Sequence, residues 1–102
     1  MKNIFKVTAL VMCTMLTTGA FAAGDAAAGK TKSASCQGCH GLNGKSNNPK
    51  IPNLAGQKKD YLITAINAYK NDKRKDPMMG MAAKPLTDAD IADLAAFYSS
   101  VK

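Results

Sequence analysis

Apolar positions along this chain fall into three helical patterns separated by long polar stretches, with one mostly apolar run ahead of them all. The last pattern is the clearest. Ile91, Leu94, Ala95 and Tyr98 recur at i, i+3, i+4 and i+7, and Phe97 widens the stripe. Thr87 stands where an N-cap belongs, with Asp90 three residues on in the capping-box position and Asp88 adding favourable charge at the positive end of the helix dipole. Pro85 ends whatever precedes it. The middle pattern starts at about Lys58 or Lys59 and runs to Asn71, with Tyr61, Leu62, Ala65, Ile66 and Tyr69 on one face. The first is alanine-rich, from Asp25 as cap through Ala26 to about Ser35. Gly29 interrupts it at a cost of about 1 kcal/mol relative to alanine. That glycine is either tolerated or there to let another helix come close.

Between these patterns the chain is turn-rich. Gly41 to Pro49 predicts a loop, and Ile51 to Gln57 a second irregular segment anchored by Ile51 and Leu54. Asn71 to Pro77 is a charged stop, and Met78 to Met81 a short irregular link. No alternating strand pattern occurs. The expectation is an all-α fold of three or four short helices with long loops, a shape suited to wrapping a cofactor.

The leading apolar run, Val7 to Leu16, is too short to span a bilayer. Lys2 and Lys6 precede it and Ala20-Phe21-Ala22 follows, the layout of a secretory signal cleaved after Ala22. Cys13 leaves with that signal. The expected mature domain is Ala23 to Lys102, without stable membrane insertion and located in the periplasm. Losing Lys2 and Lys6 takes the net charge from +7 to +5. Basic balance fits nucleic acid, a membrane surface or an acidic protein. Export sets nucleic acid aside. So short a domain has a limited core and needs a staple.

Cys36-Gln37-Gly38-Cys39-His40 supplies one. Two thiols three apart with an imidazole directly after are the C-x-x-C-H pattern of covalent haem attachment. On one helical turn both sulfurs share a face, so both reach the vinyl groups on one side of a porphyrin. His40 then presents a ring nitrogen to the iron, and it is the only histidine in the chain. A redox dithiol belongs in a βαβ setting, which is missing here. Zinc wants four Cys or His ligands, and the exported chain offers three. A structural disulfide leaves the adjoining histidine without a role.

Iron held by His40 has a second face. The methionines of the mature chain, Met78, Met79 and Met81, stand together after a proline and around a glycine. Scattered, they would be core filler. Clustered on a link far from His40, they offer a soft thioether ligand that favours ferrous iron and raises the reduction potential. The spacing leaves open which of the three it is.

From about Asp25 to Val101 the chain resembles a class I c-type cytochrome of the small periplasmic monohaem kind. The matching residues are Gly29, Cys36-x-x-Cys39-His40-Gly41, Pro52-Asn53-Leu54-Ala55-Gly56-Gln57, the methionines, and Leu86-Thr87-Asp88-Ala89-Asp90-Ile91 leading to Leu94-Ala95-Ala96-Phe97-Tyr98. It is especially similar to one half of the two-haem cytochromes that share the Leu-Ala-Gly-Gln segment. The resemblance implies one covalent haem c wrapped by the cytochrome c fold, with Gly29 against Phe97 where first and last helices cross. It implies that the Pro52 carbonyl accepts the Nδ1 hydrogen of His40, and it selects Met79 as the axial ligand. The implied function is one-electron transfer between respiratory donor and acceptor proteins by a monomeric carrier, not an enzyme. A small-ligand sensor with a displaced methionine, or an electron-entry subunit of a larger oxidoreductase complex, are the alternatives.

Lys58, Lys59, Lys70, Lys73, Arg74, Lys75 and Lys84 cluster around the second helix and the methionines. They form either a solvated face or a basic rim, in which Lys73, Arg74 and Lys75 would dock redox partners with acidic surfaces. The motif generates a mass prediction. Protein matured in the periplasm is expected to show, by denaturing mass spectrometry, the polypeptide from Ala23 plus one haem. A haem-free mass with Cys36 and Cys39 joined in a disulfide would contradict it.

Overall fold

The computed structural model describes residues 24–102. The signal expected over residues 1–22, Cys13 included, lies outside them. The described residues form five α-helices and no strand: α1 Ala26–Lys32, α2 Gln37–His40, α3 Lys59–Lys70, α4 Pro77–Ala83 and α5 Asp88–Ser100. Single 3₁₀ turns follow α1 at Ser33–Ser35 and α2 at Leu42–Gly44. The all-α expectation holds, with one helix more than the upper count. None of the described helices is long and apolar enough to cross a membrane.

The extra helix is α4, which replaces the irregular link expected over Met78 to Met81. Its cause is local. The Asp76 carboxylate accepts from the N–H groups of Met78 and Met79, at 3.0 and 3.1 Å, and Pro77 opens the first turn. Methionine and alanine, both good helix formers, then outweigh the single Gly80. The other caps follow the sequence. Asp25 caps α1, and Thr87 with Asp90 completes the capping box of α5.

α1 lies across α5, α3 packs on α5, and α4 packs on α3. The α1–α5 crossing is a backbone contact. A Cβ placed on Gly29 would lie 2.0 Å from the Asp93 carbonyl oxygen and 2.8 Å from the Phe97 Cβ, so only glycine fits. Close approach, not tolerance, explains this residue, and Phe97 is its aromatic neighbour. Polar contacts fix the same crossing. The Asp25 N–H donates to Asp93 Oδ1 at 2.8 Å. Lys32 Nζ reaches Asp90 at 2.8 Å and Asp93 at 2.6 Å. The hydrogen bond from Lys32 holds the Asp90 carboxyl down at about 2.

The core is built from one face of α5 and one residue of α3. Leu62, Leu94, Ala95, Phe97 and Tyr98 are buried together, with Cys36, Leu54, Ile63, Leu86 and Val101 half-buried against them. The Phe97 and Tyr98 rings meet at 5.0 Å, tilted by 50°.

Gly29→Val forces the two backbones apart. It is expected to cost about 3 kcal/mol or more, in the range of overpacking a close contact. The midpoint of guanidinium unfolding of the haem-loaded protein measures it. An unchanged midpoint would mean that the crossing yields without cost.

Candidate haem cleft

The attachment residues enter directly from α1. Cys36 caps α2, and the His40 N–H closes the turn on the Cys36 carbonyl at 2.9 Å. The chain must then leave sharply. Gly41 does this at φ 80°, where a Cβ would sit 1.9 Å from the Lys45 carbonyl oxygen. That reversal places residues 42–45 against the Pro52–Gln57 segment. The Gly44 carbonyl accepts from the N–H groups of both Leu54 and Ala55, at 2.8 and 3.1 Å. Asn53 Oδ1 accepts from the Ser46 N–H at 2.7 Å, and the Gly56 N–H donates to the Tyr98 carbonyl at 2.9 Å.

Held from three sides, Pro52 aims its carbonyl at His40 Nδ1, 2.9 Å away. A carbonyl oxygen only accepts, so Nδ1 carries the hydrogen and Nε2 keeps its lone pair. His40 is buried, at 6 % exposure. Its ring is therefore fixed in the tautomer and orientation a metal ligand requires.

A cleft of about 470 Å³ opens beside this ring. Cys36, Cys39, His40, Pro52 and Met79 all line it, so the cleft brings together every attachment, axial and supporting residue expected from the sequence. The Cys36 and Cys39 sulfurs are not joined to each other. The opposite contributions come from Tyr61, Leu62, Ala65, Ile66 and Tyr69 of α3. This is the stripe that the sequence shows as a helical packing face. Only Leu62 of it is fully buried, because the stripe faces the cleft as well as α5. Tyr98 closes the cleft from α5. Burial first, and the Cys36 sulfur beside it second, push its phenol above the ordinary range, so it stays neutral.

Met79 is half-buried, whereas Met78 and Met81 are 70 % and 79 % exposed. Met78 reaches the rim of the cleft and Met81 does not line it. The basic residues separate as well. Lys73 and Lys75 are exposed and lie off the cleft. Arg74 lines it, with its guanidinium 4.6 Å from the centre of the Tyr69 ring. Lys84 pairs with Asp72 at 3.4 Å. Lys70 donates its Nζ hydrogen to the Leu86 carbonyl. Lys50 also lines the cleft, a cation outside the basic cluster around the second helix and the methionines.

These side chains fit a haem and fit a bare metal ion poorly. Among the described residues no three His, Cys, Asp or Glu side chains gather to hold an ion. Two thiols on one turn, an imidazole with Nε2 free, a thioether from a distant helix and mostly apolar walls are instead the donor set of an attached porphyrin.

Comparison with known proteins points the same way. The family model described as Cytochrome c matches residues 26–102. Cytochrome c-554(548) of Halomonas halodenitrificans is 48 % identical over 81 residues, which are 76 % of this chain and 98 % of that protein. Cytochrome c4 of Pseudomonas aeruginosa is 43 % identical over 96 residues, 94 % of this chain but 48 % of that protein. The crystal structure of reduced recombinant cytochrome c4 from Pseudomonas stutzeri superposes with a TM-score of 0.75 at 40 % identity. That match covers 78 % of this chain and 47 % of the other. The chain thus spans nearly all of the first relative and about half of the cytochromes c4.

Proposed function

This chain belongs to the cytochrome c family, whose members transfer electrons through covalently bound haem c, and we propose that it is a monomeric periplasmic carrier moving single electrons between respiratory proteins. The observation that carries the reading is the shared cleft: a buried His40 oriented by Pro52 and a half-buried Met79 from a separate helix line the same space.

Haem c supplies the one-electron iron couple. The chain supplies everything else. Cys36 and Cys39 would hold the porphyrin by thioether bonds. His40 Nε2 would take one axial position, its basicity raised by the Nδ1–H···O=C bond to Pro52. Met79 would take the other with a neutral, soft sulfur that favours the reduced state. With His40 and Met79 both on the iron no position would stay open to a substrate, which supports a carrier over an enzyme. Tyr61, Leu62, Ala65, Ile66, Leu94 and Tyr98 would give the haem a mostly apolar surround, which would limit the rearrangement each transfer requires.

Partner docking follows from charge. Lys73 and Lys75 are exposed and flank Arg74 in the chain, and Arg74 lines the cleft. Such a rim speeds encounter with an acidic surface more than it tightens the complex, which suits a carrier that must leave again.

Met79→Ala is expected to abolish the sulfur-to-ferric-iron charge-transfer band, lower the reduction potential and let ferrous protein bind carbon monoxide. Met78→Ala and Met81→Ala keep the band. If Met81→Ala removes it and Met79→Ala does not, the ligand lies two residues further on.

The rim predicts a salt effect. Between 0.1 M and 1 M ionic strength the Debye length falls from about 10 Å to about 3 Å. The second-order rate of electron transfer to the physiological partner is expected to fall by about tenfold or more over that range. Charge reversal at Lys73 and Lys75, which lie off the cleft, slows it at low salt and leaves the potential nearly unchanged. A rate indifferent to both would return these residues to an ordinary solvated face.

A further inference from the structure

The segment that carries Met79 leaves α3 at Lys70 and rejoins the body of the protein at Leu86, just before the α5 cap. Inside this strap α4 packs on α3, but with few buried side chains. α4 has seven residues, too few to be stable by itself. Ala83 is its only buried residue, and two of its three methionines project into solvent. The Lys84–Asp72 pair crosses the strap, but its side chains are 58 % and 69 % exposed, so water screens it heavily. The start of the strap is a tight turn in which the Lys73 and Arg74 N–H groups share the Ala68 carbonyl, at 2.8 and 3.0 Å. That turn shapes the first residues, and at the far end the buried Ala83 is the seat of α4.

The neck is different. Lys70 Nζ donates to the backbone carbonyl of Leu86, 16 positions away. Lys70 is half-buried, and so is Leu86, which packs against the core. A charged donor on a carbonyl in partial shelter is worth more than an exposed ion pair. It also ties the two ends of the strap to each other, so it acts on everything between them.

We propose that Lys70 is a positioning residue for the axial thioether, closing the neck of the 71–85 strap so that Met79 stays in the cleft. The proposal rests on the reading of Met79 as axial ligand. It removes Lys70 from the docking rim: its ammonium is spent on the fold, not on a partner.

External imidazole binds ferric iron only when the methionine has left. Its apparent affinity therefore reports the fraction of open strap. Lys70→Met keeps the length of the side chain without the donor, and Lys70→Arg keeps a charged donor. Titration of the haem-loaded ferric proteins with imidazole at fixed ionic strength is expected to show about tenfold tighter binding for Lys70→Met, the factor matching loss of one partly shielded charged hydrogen bond. The sulfur-to-iron band of Lys70→Met is expected to melt well below the loss of helix seen by far-ultraviolet circular dichroism. Lys70→Arg stays within about twofold of the parent protein, as does Lys84→Met, since an exposed pair contributes little. If Lys70→Met does not mature, Lys70→Leu, which also carries no donor, gives the same comparison. Parent-like imidazole affinity and band melting in the Lys70 variant would overturn the proposal, as would an equal effect of Lys84→Met. A band that survives Met79→Ala would instead overturn the ligand assignment beneath it.

Discussion

The crossing of α1 and α5 at Gly29 is the contact from which the rest of the structure is set out. Because no Cβ stands between the Gly29 backbone and Asp93, α1 comes down onto α5 itself. The chain leaving α1 then has only the Ser33–Ser35 turn before Cys36. The attachment helix is thereby delivered against the buried face of α5, with Cys36 packed beside the Leu94–Tyr98 cluster. A wider crossing would carry the thiols and His40 away from the wall they share with Tyr98. The Lys32 bridge to Asp90 and Asp93 guards the same geometry from the outside of the crossing.

The two sides of the cleft are built by different means. The His40 side is a hydrogen-bonded scaffold: Gly41 reverses the chain, Gly44 receives two N–H groups, and Pro52 ends up with its carbonyl on the imidazole. Every link there is local or joins segments fixed elsewhere. The Met79 side is a strap hung from α3, with a short capped helix and few buried side chains. With Met79 as the proposed ligand, a rigid His40 side and a tethered sulfur would be a workable division, because two thioethers would already hold one edge of the porphyrin. The tether would then be the part through which sequence changes adjust ligand strength and potential.

Much of this was readable from the chain. The helical stripe of α5 and its Thr87–Asp90 box, the Asp25 cap, Gly29 as a contact with Phe97, the C-x-x-C-H turn and the Pro52–His40 bond all have local or family signatures, and each has its counterpart in the structure. The misjudged element is α4. Met-Met-Gly-Met after a charged stretch resembles a link, and the capping role of Asp76 ahead of Pro77 was the signal that outweighs its glycine. Lys70 had no signal at all. Its acceptor is a backbone carbonyl, and nothing in a residue sequence marks one carbonyl from another. The basic cluster likewise looked uniform in sequence, yet five of its seven members divide into a tie (Lys70), an ion pair (Lys84), a cation on a tyrosine face (Arg74) and exposed charges (Lys73, Lys75).

Electron transfer by this protein stands on one condition, that iron keeps a nitrogen and a sulfur ligand while it changes oxidation state. Iron K-edge X-ray absorption on the ferric and the ferrous protein tests it most directly. Six-coordinate iron with one sulfur scatterer in both states and nearly unchanged ligand distances is expected. A sixth ligand of nitrogen or oxygen, or five-coordinate ferrous iron, would contradict it.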